Sequence, residues 1–126
     1  MKSISAEQLN QDLVSLDWPY FDNILIDEQA VKYDITVKPE LSYLVGHFPQ
    51  QPVVPGVVQI HWAGELSKQF FRCVGFSSLK KVKFSNPILP ESSLQLILNY
   101  KKSVNQVNFD YVDDQQVYSS GVISFL

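Results

Sequence analysis

His47 and His61 are the two imidazoles of this 126-residue chain, and one passage holds both: GHFPQQPVVPGVVQIHWAGE, from Gly46 to Glu65. Free imidazole titrates near ~6.5, so at neutral pH one such group can accept a proton while another, differently placed, donates one. Pro49, Pro52 and Pro55 restrict the backbone around His47, and Gly46 allows geometry that other residues avoid. A histidine held in so stiff a loop is pre-organised for proton transfer; it would equally serve as a hydrogen-bonded residue lining a turn. The residue types alone leave both meanings open. His61 and Glu65 are four apart and would share one face of a helix.

The elements that must hold these groups follow from the apolar pattern. Ala6 to Ser15 reads as a short helix with Ser5 as N-cap and Leu9 and Leu13 on one face. Trp18-Pro19-Tyr20-Phe21 reads as an apolar turn. Val31, Tyr33, Ile35 and Val37 alternate with polar residues up to Lys38, the mark of a half-buried strand. Val57 to Val74 is long enough for several helical turns. Its apolar residues spread over most of the circumference, which predicts burial on several sides. Pro55 and Gly56 at its start leave backbone N–H groups free, and Gly75 is the expected stop. Leu79 to Ser85, the alternating stretch around Leu94 to Tyr100, Val104 to Val112 and Val117 to Phe125 read as strands, the last two joined by a turn at Asp113-Asp114-Gln115-Gln116. One long apolar helix with a run of antiparallel strands predicts an α+β fold, residues 1–126 forming a single domain.

Composition narrows the class. The net charge of −3 and the absence of a basic run with interleaved aromatics argue against nucleic acid as a partner. No apolar run reaches the roughly 20 residues of a membrane-spanning helix. The first residues, MKSISAEQLNQD, lack the apolar centre of a signal peptide, so the cytoplasm is the expected compartment. Cys73 is the one cysteine and is expected to be buried.

Gly46-His47-Phe48-Pro49, Pro52-Val53 and Pro55-Gly56-Val57 resemble the signature of the beta-hydroxyacyl-acyl carrier protein dehydratases. Val82-Lys83-Phe84, Pro87-Ile88 and Pro90 resemble that family's next strand and proline bend, so the similarity runs from about Ile24 to the end. Val57-Val58-Gln59-Ile60-His61-Trp62-Ala63 is similar to a branch of dehydratases associated with aryl polyene pathways. The resemblance implies a hotdog fold, a curved antiparallel sheet wrapped around one long central helix. It also implies a dimer, with itself or with another hotdog subunit, and a substrate carried by acyl carrier protein. No metal, cofactor, nucleic acid or membrane is implied. One position departs from the pattern: the family's helix carboxylate is replaced by His61, and Glu65 stands where glutamine is usual.

On this resemblance His47 would abstract the alpha proton, and His61, supported by Glu65 and contributed by the other subunit, would protonate the departing hydroxyl; each such group contributes roughly 10²–10⁴-fold. Free N–H groups near Gly56 and Val57 would polarise the thioester carbonyl, with Phe48 and Trp62 as further substrate-binding candidates. Other meanings stand beside these. His61 would also serve as a hydrogen-bonded histidine, Glu65 as a solvated carboxylate, and Trp62, Phe70, Phe71 and Phe84 as core. By residue type alone, His47, His61 and Glu65 would also suit a metal. Lys80, Lys81 and Lys83, with Arg72, would attract an acidic carrier protein or simply form a solvated face. Two alternatives to the dehydratase remain: an acyl thioesterase on the same fold, and a catalytically weak hotdog partner subunit that binds acyl carrier protein.

Overall fold

The computed structural model describes residues 5–13, 17–39 and 53–126; Gly46, His47 and Phe48 lie outside them. Helix α1 (Ala6–Asp12) starts on Ser5, whose Oγ accepts the Gln8 N–H at 3.1 Å. Strand β1 (Tyr20–Ile26) is tied to α1 by Asn10. Its side-chain amide accepts the Phe21 N–H and donates to the Phe21 carbonyl, each at 2.8 Å. The sequence reading places a turn at the start of β1 and no strand beyond it. Only Phe21 of β1 is buried, so the strand carries no alternating pattern to read. Strand β2 (Ala30–Thr36) alternates as expected, burying Val31, Tyr33 and Ile35.

Helix α2 (Gly56–Phe71) precedes β3 (Phe76–Phe84), β4 (Ser93–Lys101), β5 (Gln106–Val112) and β6 (Val117–Phe125). The strands form one antiparallel sheet in the order β1-β2-β4-β5-β6-β3, so β3 returns to the edge far from β2. This is the helix-and-sheet architecture that the hotdog resemblance predicts. Trp62, Ala63, Leu66 and Phe70 of α2 share one buried cluster with Leu94, Leu96, Leu98, Phe109, Tyr111 and Ile123 of the sheet. Cys73 is buried as well.

Two expectations for α2 are corrected. The helix is not covered on several sides within one chain, because the sheet meets only one face: Val57 is 75% exposed and His61 is exposed. It also stops before Gly75. Arg72, in the left-handed region at φ 58°, is the C-cap, and Gly75 at φ 61° turns the chain into β3.

The β5–β6 turn is built by Asp113. Its Oδ1 accepts the N–H groups of Gln115 and Gln116 at 2.8 and 3.0 Å, and its Oδ2 accepts the Tyr118 hydroxyl. The Tyr118 hydroxyl first, then the two N–H groups, hold the Asp113 carboxyl below its ordinary pKa. This contribution to stability is therefore full at neutral pH and lost as pH falls through the lowered value.

Two glycines separate tight packing from open space. A Cβ on Gly121 would stand 2.7 Å from Phe109 Cε2, in the core, so Gly121→Ala is expected to destabilise by about 1–3 kcal/mol. A Cβ on Gly64 would meet only Ile123 Cδ1, at 4.0 Å, among the described residues. Gly64→Ala in the helix interior is expected to stabilise by roughly 0.5–1 kcal/mol. Urea unfolding checks the pair, and coincident midpoints for the two variants would contradict this packing.

Candidate functional site

The start of α2 is where backbone chemistry becomes available. Pro55 is its N-cap, extended and without a side-chain cap. Its carbonyl accepts from the N–H groups of Val58 and Gln59 at 3.0 and 3.2 Å. The N–H groups of Gly56 and Val57 find no acceptor among the described residues. They are the orphan donors of a helix N-terminus, at the positive end of its dipole, and suit a carbonyl oxygen that gains negative charge.

These donors border an open groove of about 580 Å³, walled by Val53, Pro55, Val57, Ile60, Phe84 and Pro87. A Cβ at position 56 would lie 2.6 Å from Cζ of Phe84, so a larger residue there would displace that ring. The ring, 52% exposed, thereby lies directly over the first turn of the helix.

One turn beyond Val57 the exposed stripe of α2 carries His61, with Trp18 beside it at 5.7 Å between ring centroids. Glu65 follows on the same stripe. Its carboxylate is held by Lys68 Nζ at 3.0 Å, and no hydrogen bond joins it to His61 among the described residues. Trp62 belongs to the core rather than to the groove: it is fully buried, and its indole N–H donates to the Asp17 carbonyl at 2.9 Å. Val57 and His61, one turn apart, share the exposed side of the helix, while Gly56 and Val57 line the groove and His61 is not among its lining residues. His47 and Phe48 fall outside the described residues, and among those residues no three His, Cys, Asp or Glu side chains gather as a metal would require.

Gln59 is the residue that sequence reasoning passed over. Only 3% exposed, its amide nitrogen donates to the Val54 carbonyl at 3.1 Å and its amide oxygen accepts the Ser119 hydroxyl at 2.5 Å. Its backbone carbonyl accepts the Tyr111 hydroxyl at 2.7 Å, and burial pushes that hydroxyl's pKa well up. Val54 N–H donates in turn to the Ile88 carbonyl at 2.9 Å. The first turn of α2 is so fastened to β5, to β6 and to the proline bend after β3. A glutamine inside an apolar run was the one available sign, since a polar residue on a buried helix face must find partners.

A long helix packed on an antiparallel sheet, its N-terminus open on an apolar groove, is the architecture of a hotdog protein. The chain belongs to the ApeI-like family, whose ApeI dehydratase model matches residues 23–122. A chain of the dehydratase heterocomplex ApeI:P from Xenorhabdus doucetiae is 31% identical and superposes with a TM-score of 0.79, covering 85% of this chain and 96% of that one. An uncharacterized protein from Erwinia carotovora subsp. atroseptica is 28% identical with a TM-score of 0.71, over 82% of this chain and 89% of that one. The 3-hydroxyacyl-[acyl-carrier-protein] dehydratase FabZ of Wolbachia sp. subsp. Brugia malayi is 25% identical over 99 residues, 67% of this chain and 68% of the relative. The aryl-polyene branch suggested by the Val57–Ala63 motif is therefore the family shown.

Gln59→Leu keeps the side chain's bulk but strands the Ser119 hydroxyl and the Val54 carbonyl. It is expected to cost roughly 2–3 kcal/mol. Chemical denaturation checks this, and a midpoint equal to that of the parent chain would show the amide to be dispensable.

Proposed function

We propose that this chain is a subunit of a hotdog dehydratase that converts a beta-hydroxyacyl group on acyl carrier protein into the trans-2-enoyl thioester, releasing water. The observation that carries this reading is the start of α2: the N–H groups of Gly56 and Val57 find no acceptor among the described residues, an apolar groove lies beside them, and the exposed His61 stands one turn beyond Val57 on the helix surface. The thioester carbonyl sits on the two N–H groups, which stabilise the negative charge that develops as the alpha proton leaves. His47, carried over from the family motif, takes that proton. The electron pair forms the alpha–beta double bond, the beta C–O bond breaks, and His61 delivers a proton so that water departs.

The exposure of His61 and Val57 in a single chain supports completion of the site by a second hotdog subunit. Strand β3 is an edge of the sheet among the described residues, with Phe76, Leu79 and Phe84 exposed, which supports growth of the sheet by a second subunit on that side. Lys80, Lys81 and Lys83, exposed on the same strand, suit an acidic carrier protein.

A second reading is favoured by one substitution. An imidazole, His61, stands at the family's carboxylate position, and the similar chain from Xenorhabdus doucetiae is part of a dehydratase heterocomplex. This pattern fits a partner subunit that binds the carrier protein while a second hotdog chain supplies the chemistry.

Mass spectrometry of beta-hydroxyacyl-carrier proteins, aliphatic and aryl, separates these readings when the chain is assayed alone and mixed with a second hotdog subunit. The dehydratase reading expects loss of one water, with His47→Ala lowering turnover by roughly 10²-fold or more and His61→Glu keeping substantial activity. Full turnover by a mixture containing His47→Ala would favour the partner reading. Release of the free acid would identify a thioesterase instead.

A further inference from the structure

Trp18 lies ahead of the residues that the family model matches, and the motifs discussed so far give it no task. Its backbone is nonetheless held from two directions. The Trp62 indole donates to the Asp17 carbonyl at 2.9 Å, which ties the residue before it to the helix core. On the other side Pro19 is buried, and both backbone groups of Phe21 are clamped by the Asn10 amide at 2.8 Å. Between these anchors the half-buried Trp18 ring is set against the imidazole of His61, with centroids 5.7 Å apart and planes inclined at 44°.

This contact matters because of where His61 stands. An exposed side chain on a helix surface exchanges among staggered rotamers. Proton transfer needs the donating nitrogen within hydrogen-bond reach of one oxygen. Glu65, the neighbour expected to steady the imidazole, pairs with Lys68 at the surface and makes no hydrogen bond to His61 among the described residues, where the indole is the ring contact His61 makes. Tilted aromatic pairs at this separation have a preferred geometry, so the indole limits the imidazole's swing.

We propose that Trp18 is a positioning residue for His61, restricting the imidazole to one orientation on the exposed stripe of α2. The Trp62–Asp17 bond transmits the rigidity of the core to it. The inference rests on the reading of His61 as the group that protonates the departing hydroxyl.

The test compares Trp18→Leu, Trp18→Phe and His61→Ala in the full chain, with the second subunit present wherever the parent protein needs it. Misaiming a reacting group costs up to about 10²-fold. Trp18→Leu is therefore expected to lower kcat by roughly 10- to 100-fold with KM little changed, while Trp18→Phe restores most of kcat. Loss of folded protein alone would instead lower the active fraction of both Trp18 variants, judged against thermal unfolding of each. NMR of the His61 ring supplies a readout independent of turnover: its ¹H–¹³C resonances should shift and broaden in Trp18→Leu as the ring gains rotamers. Three results overturn the inference. If the His61 resonances are unchanged, the indole does not hold the ring. If His61→Ala abolishes dehydration while Trp18→Leu keeps kcat, positioning fails and the catalytic reading of His61 survives. If His61→Ala dehydrates normally, both fail together.

Discussion

The buried side-chain amide of Gln59 is the constraint on which the geometry of this protein turns. An amide moved from water to an apolar interior is costly unless each polar atom is paired. Here the partners come from three separate parts of the chain: the Val54 carbonyl before the helix, Ser119 on β6, and, through the Gln59 backbone, Tyr111 on β5. A shift of the first helical turn would break several of these bonds at once. The orientation of α2 is therefore fixed at the end where its orphan N–H groups meet the groove, and with it the direction in which Val57 and His61 project.

The fold was legible where burial imposed a period. Val31, Tyr33 and Ile35, and likewise Leu94, Leu96 and Leu98, alternate because one face of each strand meets the core. β1 was not legible, since an edge strand that buries only Phe21 has no period to show. The helix was found with its start nearly in register, but its apolar circumference overstated its burial. Apolar residue type says that a side chain favours cover, not that the same chain provides it, and Val57 remains open. The stop at Arg72 escaped notice because a left-handed arginine carries no compositional mark of the kind glycine does.

The candidate site was legible in its parts and not in its assembly. The Pro55-Gly56 start of the helix and the position of His61 could be read from type and spacing. The closeness of Phe84 to Gly56, the node at Gln59 and the Trp18–His61 contact join residues far apart in sequence, where no periodicity reaches. Trp62 and Glu65 show the converse. Both have the right chemistry in the right passage, yet one is committed to the core through Asp17 and the other to Lys68.

The imidazole at position 61 also changes what the surrounding structure must provide. A carboxylic acid titrates near ~4, so to donate a proton at neutral pH it must be desolvated until its pKa rises by a few units. Such a site depends on burial, which an exposed helix stripe does not supply within one chain. General acid work by an imidazole does not call for that burial. The demand then passes from dielectric to aim, because an exposed side chain free to change rotamer is seldom pointed at the reacting oxygen. In the proposed reading, Trp18, an aromatic residue braced against the core, meets that second demand and leaves the groove beside the start of α2 open.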